Sequence, residues 1–340
     1  MLEEVEQWLK RRSWSAADRP PARLLAAKRA AGRAGTVSVV LPALDEEATV
    51  GAIVETIRSE LMGDDLPLVD ELVVLDSGSR DRTARVAAEA GARVVHRDEV
   101  LPRLPALPGK GEVLWRSLLV TSGEIVCFVD ADLRDFRSSF VSGIVGPLLT
   151  EPDVRLVKAM YDRPLGAGAG ASAEAGTAPA PGGPARGGRV TELVARPLLN
   201  LHWPQLAGFV QPLGGEYAAR RSLLEQLPFP VGYGVELAML VDALDLVGLD
   251  ALAQVDVGVR LHRHQDDQAL GRMAATIYRT AQARLTGSPL VRPVLTQFDR
   301  APDGGFAPSV HEIAAVERPP MAGIAEYAAR RERGCGDQVA

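Results

Sequence analysis

Two aspartates one residue apart, Asp130 and Asp132, close the segment EIVCFVDADLR. Carboxylate oxygens are hard donors. At the carboxyl end of a buried strand such a pair can hold a divalent cation against a diphosphate and leave coordination sites open. That chemistry is the one nucleotide-sugar enzymes use, while the plainer reading is that two acids merely open a loop. Lys110, between Gly109 and Gly111, could approach a diphosphate as a point charge, or start a helix with its amine in water. In GGRVTE, residues 187–192, free backbone N–H groups, the Arg189 guanidinium and the Thr191 hydroxyl precede an apolar helix. They suit an anion, or an ordinary helix cap. Glu236, in the first turn of ELAMLVDALDLVG, either complements the helix dipole or holds sugar hydroxyls. In QPLGGEY two adjacent glycines before an expected helix admit a ligand close to backbone, or make a tight turn. His262 follows an expected strand at 253–259 and is a competent third metal ligand, or a loop histidine.

These residues need a scaffold, and the hydrophobic pattern describes one. VSVVLPALDEEATVGAIVETI reads as a buried strand, a proline turn and a helix with Val50, Ile53, Val54, Ile57 and Leu61 on one face. ELVVLD is a second strand that breaks at Ser77-Gly78-Ser79, and ARVVH, 92–96, a third. GKGEVLWRSLLVTSG is a helix running up to the strand of the aspartate pair. A helix near 138–149 and a strand near 154–160 follow. Strands alternating with helices predict an α/β fold with a mostly parallel, doubly wound sheet and helices on both faces. Neither G-x-G-x-x-G nor G-x-x-x-x-G-K-[ST] occurs in this early part, so no dinucleotide fingerprint or P-loop is offered.

The 340 residues carry a net charge of −6, which offers no general attraction for nucleic acid or an anionic membrane. Two cysteines, Cys127 and Cys335, make no disulfide framework. No stretch approaches the ~20 apolar residues of a membrane span, and the N-terminus lacks the apolar block of a signal peptide. The expectation is a soluble, cytoplasmic protein without a membrane span or a nucleic-acid partner.

In order along the chain, LPALDEE, VLDSGSRDRT, PGKGEVLWRSL, FVDADL, GGRVTELVARPLL, QPLGGEYAARRSLL, GYGVELAMLVD and VRLHRH form a specific series. With it the sequence resembles retaining glycosyltransferases of the GT-A fold, and among them the glucosyl-3-phosphoglycerate synthase family of actinobacteria. The resemblance covers about residues 36–285 apart from a Gly/Ala/Pro-rich insertion. It implies a GT-A-type nucleotide-diphospho-sugar transferase that moves glucose from UDP-glucose to the hydroxyl of 3-phosphoglycerate. It also implies Mg²⁺ or Mn²⁺ as cofactor, a cytosolic homodimer, and a place in methylglucose lipopolysaccharide biosynthesis. The segments are then 1–35, an N-terminal helical extension; 36–160, the nucleotide-sugar-binding half; 161–188, a flexible loop; 189–285, the acceptor-binding half; and 286–340, a C-terminal extension and oligomer contact.

Carried over residue by residue, the resemblance gives Pro42, Ala43, Leu44, Glu46, Ser77, Lys110, Asp130, Ala131, Leu213, Gly214, Tyr233 and Glu236 to the nucleotide sugar. It gives Gly188, Arg189, Thr191 and His264 to the acceptor, and Asp130, Asp132 and His262 to the metal. Lys110, Asp132 and Glu236 are the expected catalytic residues. Lys110 and the cation would neutralise the UDP leaving group, and Glu236 would orient glucose and stabilise positive charge. Two positions depart from the family: Asp45 and His264 each stand where it has Asn. The rival readings are a related transferase using GDP-glucose or GDP-mannose or a polyprenyl phosphate acceptor, a non-catalytic nucleotide-sugar-binding protein, and a nucleotidyltransferase.

Overall fold

The computed structural model describes residues 1–163, 188–260, 266–285, 293–300, 306–313 and 315–336. The loop expected to be flexible falls almost wholly outside these residues, as do His262 and His264.

The chain begins with helix α1 (Glu3–Arg12), strand β1 (Ser13–Ser15) and helix α2 (Pro21–Ala31). The N-terminal extension thus carries a short strand as well as helices, because Ser13 to Ser15 find an open sheet edge to pair with. Trp8 is fully buried, stacks at 4.8 Å on Phe209 and donates its indole N–H to the Leu252 carbonyl at 2.8 Å. An aromatic with a satisfied polar handle is what fixes this extension to the body.

From there the alternation follows the sequence pattern. β2 (Val37–Ala43), α3 (Val50–Leu61), β3 (Glu71–Asp76), α4 (Thr83–Glu89), β4 (Arg93–His96), α5 (Lys110–Val120), β5 (Ile125–Phe128), α6 (Ser139–Thr150) and β6 (Leu156–Asp162) come in order. The α3 residues expected on one face, Val50, Ile53, Val54, Ile57 and Leu61, are all buried. A π-helical turn, Thr191–Ala195, leads into α7 (Arg196–His202), followed by β7 (Tyr217–Arg220), α8 (Arg221–Leu224), β8 (Phe229–Pro230), α9 (Val235–Val247) and β9 (Leu252–Val259). The remainder is α10 (Asp267–Arg284), the hairpin β10 (Val294–Arg300) and β11 (Phe306–Glu312), β12 (Glu317–Arg318) and α11 (Ala325–Gly336).

Eight strands form one sheet in the order β1-β9-β6-β7-β5-β2-β3-β4. All neighbours are parallel except β7, which runs against both β5 and β6. Here the helix expected after QPLGGEY is only the four-residue α8, and the strand β7 comes before it. Tyr217, Ala218 and Ala219 are fully buried, and Tyr217 packs at 5.1 Å on Phe128. Small side chains in the middle of a covered sheet leave room for helices on both faces, so burial overrides alanine's helical preference. One apolar layer is built from α3, α4 and α6, and the other from α5, α7, α9, α10 and α11. Seven strands point the same way, so their carboxyl ends share one edge. Among the described residues no helix is long and apolar enough to cross a membrane.

The C-terminal residues are strapped to the helix that carries Lys110. β12 pairs with β8, the Trp115 indole donates to the Pro319 carbonyl at 2.8 Å, and Arg318 lies over the Trp115 ring. Beneath them Glu112, fully buried, accepts from Arg116 at 2.6 Å and from two nitrogens of Arg318, Nε and Nη2, at 2.6 and 2.8 Å. Removing that carboxylate strands two guanidinium groups. Glu112→Ala should cost about 3–5 kcal/mol of stability, as a broken buried ion pair does, and lower the urea midpoint accordingly. A midpoint within experimental error of the parent would remove the strap from the account of stability.

Candidate active site

The carboxyl edge of the sheet opens into a cleft of about 790 Å³. Asp130 and Asp132 follow β5 there. Lys110 reaches them from the start of α5, where a glycine on either side allows close approach. A side chain on Gly111 would stand 1.8 Å from the Pro230 carbonyl oxygen, and one on Gly109, at φ 125°, 2.3 Å from that of Val231. These glycines therefore serve packing of the helix start against 230–232, and Lys110 is not left in water. Its amine donates to Asp130 and stands 2.9 Å from Glu236 in the first turn of α9.

Opposite Lys110, Arg260 follows β9 and donates to Asp130 at 2.8 Å, Asp132 at 3.3 Å and Glu216 at 2.8 Å. Tyr161 donates to the other oxygen of Glu216 at 2.9 Å. Lys158, buried in β6, donates to the Gly214 carbonyl and lies 4.8 Å from the Tyr217 ring. Gly215 is obligatory in this arrangement, since a Cβ would lie 2.3 Å from both Asp130 and Lys110.

Charge is tightly apportioned. Burial alone would raise the Asp130 carboxyl, but Lys110, Arg260 and, more weakly, Arg163 hold it well below the usual carboxylate range. Burial would likewise lower Lys110, yet Asp130 and Glu236 keep it well above the ordinary lysine value. Asp132 goes the other way, raised by burial and by the charge of Asp130 against the pull of Arg260. Burial pushes the Lys158 amine down to about 8 although Glu236 and Glu216 favour its charge.

Those shifts test the fit of a metal. Both Asp130 oxygens are engaged by cationic side chains, whereas Asp132, with 31 % of its side chain exposed, is an acid short of positive charge. A hard divalent cation suits an oxygen donor in that condition. Among the described residues no group of three or more His, Cys, Asp or Glu is set to hold a metal, and His262, expected as a third ligand, lies outside them.

Of the other expected contacts, Pro42, Ala43, Leu44, Glu46, Ser77, Ala131, Leu213 and Tyr233 all line the cleft, as do Gly188, Arg189 and Thr191. Gly214 is not among the residues that line the cleft, and its carbonyl accepts from the buried Lys158. Arg189 pairs with Asp267 at the rim. Asp45 has φ 57°, a left-handed backbone that Asp and Asn both tolerate, and its carboxylate accepts from the Arg80 N–H at 2.7 Å. Both are things an Asn could do, so that departure from the family leaves the turn intact. Sequence reasoning missed Arg260, Glu216, Lys158, Arg163 and Arg97, which donates to the Ser77 hydroxyl at 3.0 Å. A lysine in the apolar run LVKAMY was the one available signal for Lys158.

Residues 38–163 match glycosyl transferase family 2, and with the sheet and the acid pair at its carboxyl edge this defines the class, a GT-A-type glycosyltransferase. The chain is 49 % identical over 322 residues to a glucosyl-3-phosphoglycerate synthase of Mycolicibacterium paratuberculosis, covering 94 % of this chain and 92 % of that one. It is 50 % identical to that of Mycolicibacterium smegmatis, covering 93 % and 97 %. Its fold is similar to a crystal structure of glucosyl-3-phosphoglycerate synthase from Mycobacterium tuberculosis in complex with Mn²⁺, UDP-glucose and phosphoglyceric acid. There the TM-score is 0.75, at 47 % identity over 89 % of this chain and 94 % of the other. The chain belongs to the glucosyl-3-phosphoglycerate synthase family.

Two outcomes follow from the geometry. Gly215→Ala should fold but lose turnover by orders of magnitude, because its methyl displaces the Lys110–Asp130 pair; a circular-dichroism melt beside a UDP-release assay separates the two effects. For Lys158, the folded value of about 8 lies below the unfolded 10.5, so between those pH values the unfolded chain binds the extra proton and stability rises with pH. Subtracting the unfolding free energy of Lys158→Met from that of the parent across pH 7 to 11 should give that positive slope, and a flat difference would contradict it.

Proposed function

We infer that this chain is a retaining, metal-dependent glucosyltransferase that moves glucose from UDP-glucose to 3-phosphoglycerate. The observation that carries it is the meeting, in one cleft, of Lys110, Asp130, Asp132 and Glu236 with the anion-binding helix start Gly188–Thr191. A nucleotide-binding protein without catalysis has no need of both groups at one edge.

Pro42, Ala43, Leu44, Glu46 and Ser77 would hold the nucleotide along the β2 and β3 ends, with Arg97 fixing the Ser77 hydroxyl. A divalent cation on Asp132 and Asp130, with His262 as the third ligand implied by the family, would supply positive charge at the diphosphate leaving group. Lys110 adds a fixed ammonium beside it, already oriented by Asp130 and Glu236, so little reorganisation is needed as charge develops. Glu236 is buried against Lys110 and serves to orient glucose and to stabilise positive charge at the anomeric carbon. Tyr233, 49 % exposed, and Leu213 shape the sugar pocket. The acceptor, held by Arg189, Thr191 and the Gly188 backbone, with His264 at the position where the family has Asn, brings its hydroxyl to the same face of the sugar. Its proton passes to a diphosphate oxygen, and much of the rate gain is positioning. A cytoplasmic homodimer contacting through residues 286–340 belongs to the same reading.

UDP release from UDP-glucose with Mg²⁺ should require 3-phosphoglycerate and yield a glucosyl product. Asp132→Ala should remove metal-dependent turnover, and Arg189→Ala should chiefly raise the acceptor KM, by about tenfold or more for a lost charged hydrogen bond. Near-parent activity in the first variant would defeat the metal assignment, and an unchanged acceptor KM in the second would defeat the acceptor site.

A further inference from the structure

Lys158 stands within β6, in a sheet covered on both faces, and is 1 % exposed. A buried ammonium needs acceptors. Among the described residues Lys158 has one hydrogen-bond acceptor, the Gly214 carbonyl, and its amine lies 4.8 Å from the ring of Tyr217, its cross-strand neighbour in β7. Burial is the largest influence on that amine and pushes it down to about 8. Glu236 on α9, Glu216 before β7 and Asp130 after β5 favour its charge, and Lys110 on α5 opposes it. The charge is therefore a burden on the fold. A methionine would fill the same space without it, since replacing a poorly paired buried charge by an apolar side chain is often neutral or stabilising.

What the lysine does instead is visible at its acceptor. The Gly214–Gly215 peptide is trans and planar, so holding its carbonyl oxygen also sets the direction of the Gly215 N–H and the place of the Gly215 Cα. With glycine on both sides no side chain restrains that peptide from turning. Gly215 in turn abuts the reacting end of the cleft, where a Cβ would lie 2.3 Å from both Lys110 and Asp130. Among the described residues Lys158 forms no ion pair of its own, so its hold on the site runs through this turn.

We propose that Lys158 is a positioning residue for the transfer step: by holding the Gly214 carbonyl it locks the glycine turn against the Lys110–Asp130 pair and keeps the Lys110 ammonium where charge develops on the departing diphosphate. The proposal rests on the transferase reading above. Its consequence is a split between binding and turnover. The nucleotide contacts at the ends of β2 and β3 do not involve this turn, so substrate binding survives the loss of Lys158. Stabilisation that exists only in the transition state does not.

The test is steady-state transfer from UDP-glucose to 3-phosphoglycerate with Mg²⁺, with thermal melts beside it, on the full chain and on Lys158→Met and Lys158→Arg. The methionine variant should melt at or above the parent's temperature and keep both KM values within about twofold. Its kcat should fall by about 10- to 100-fold, the worth of one charge-assisted hydrogen bond. Lys158→Arg, which restores a charged donor, should recover most of that kcat. A methionine variant with the parent's kcat, one whose lost turnover comes with a lower melting temperature, or an arginine variant no faster than the methionine one overturns the proposal. A parent that releases no UDP in the presence of 3-phosphoglycerate overturns the transferase reading instead, an outcome seen before any variant is made.

Discussion

The shared ammonium of Lys110, set between Asp130 and Glu236, is the interaction on which this molecule depends. It joins the start of α5, the end of β5 and the first turn of α9, three elements far apart in the chain, at one point on the sheet edge. A buried lysine would be costly alone, and so would two buried carboxylates; together with Arg260 they form a cluster in which each charge makes the others tolerable. What the cluster leaves imperfect is Asp132, a carboxylate with too little positive charge around it. In the proposed reading a hard cation would stand against that carboxylate.

The rest of the architecture serves to hold that point fixed within the cleft. Parallel strands bring β2, β3, β5, β6 and β9 to a common edge, and the antiparallel β7 fills the centre with small residues, so that the Gly214–Gly215 turn lies directly under the acids. Lys158 ties that turn from below through the Gly214 carbonyl. The C-terminal strap, acting through Arg318 and Glu112, holds the helix from which Lys110 projects. The N-terminal extension is fixed in the same apolar layer by Trp8, whose indole donates to the Leu252 carbonyl in β9.

Much of this was legible in the residues. Short continuous apolar runs alternating with period-3.6 runs marked the strands and helices up to β6, because both faces of a doubly wound sheet are covered and the pattern is local. The ordered motifs, through their likeness to a known family, picked out the apolar and acidic cleft residues named here and Lys110 but not the arginines Arg97, Arg163 and Arg260. The reading stumbled at QPLGGEY, where alanines with helical preference form a central strand, since only the neighbours β5 and β6 supply the pairing that outweighs propensity. It passed over Arg260, Glu216 and Arg163, since an isolated charged residue at the end of a strand has no local signature of its partner.

The sequence by itself determined the class of sheet, the acid pair at the end of β5, and the family, because hydrophobic periodicity and motif order are carried along the chain. Tertiary structure alone decided which charges meet. It took Lys110 out of water and placed it between two carboxylates, put Arg260 across Asp130 and Asp132, and set Arg163 against Gly188. Electrostatic coupling falls with distance in space and not along the chain, so the protonation and the work of each group exist only once the strands have brought their ends together.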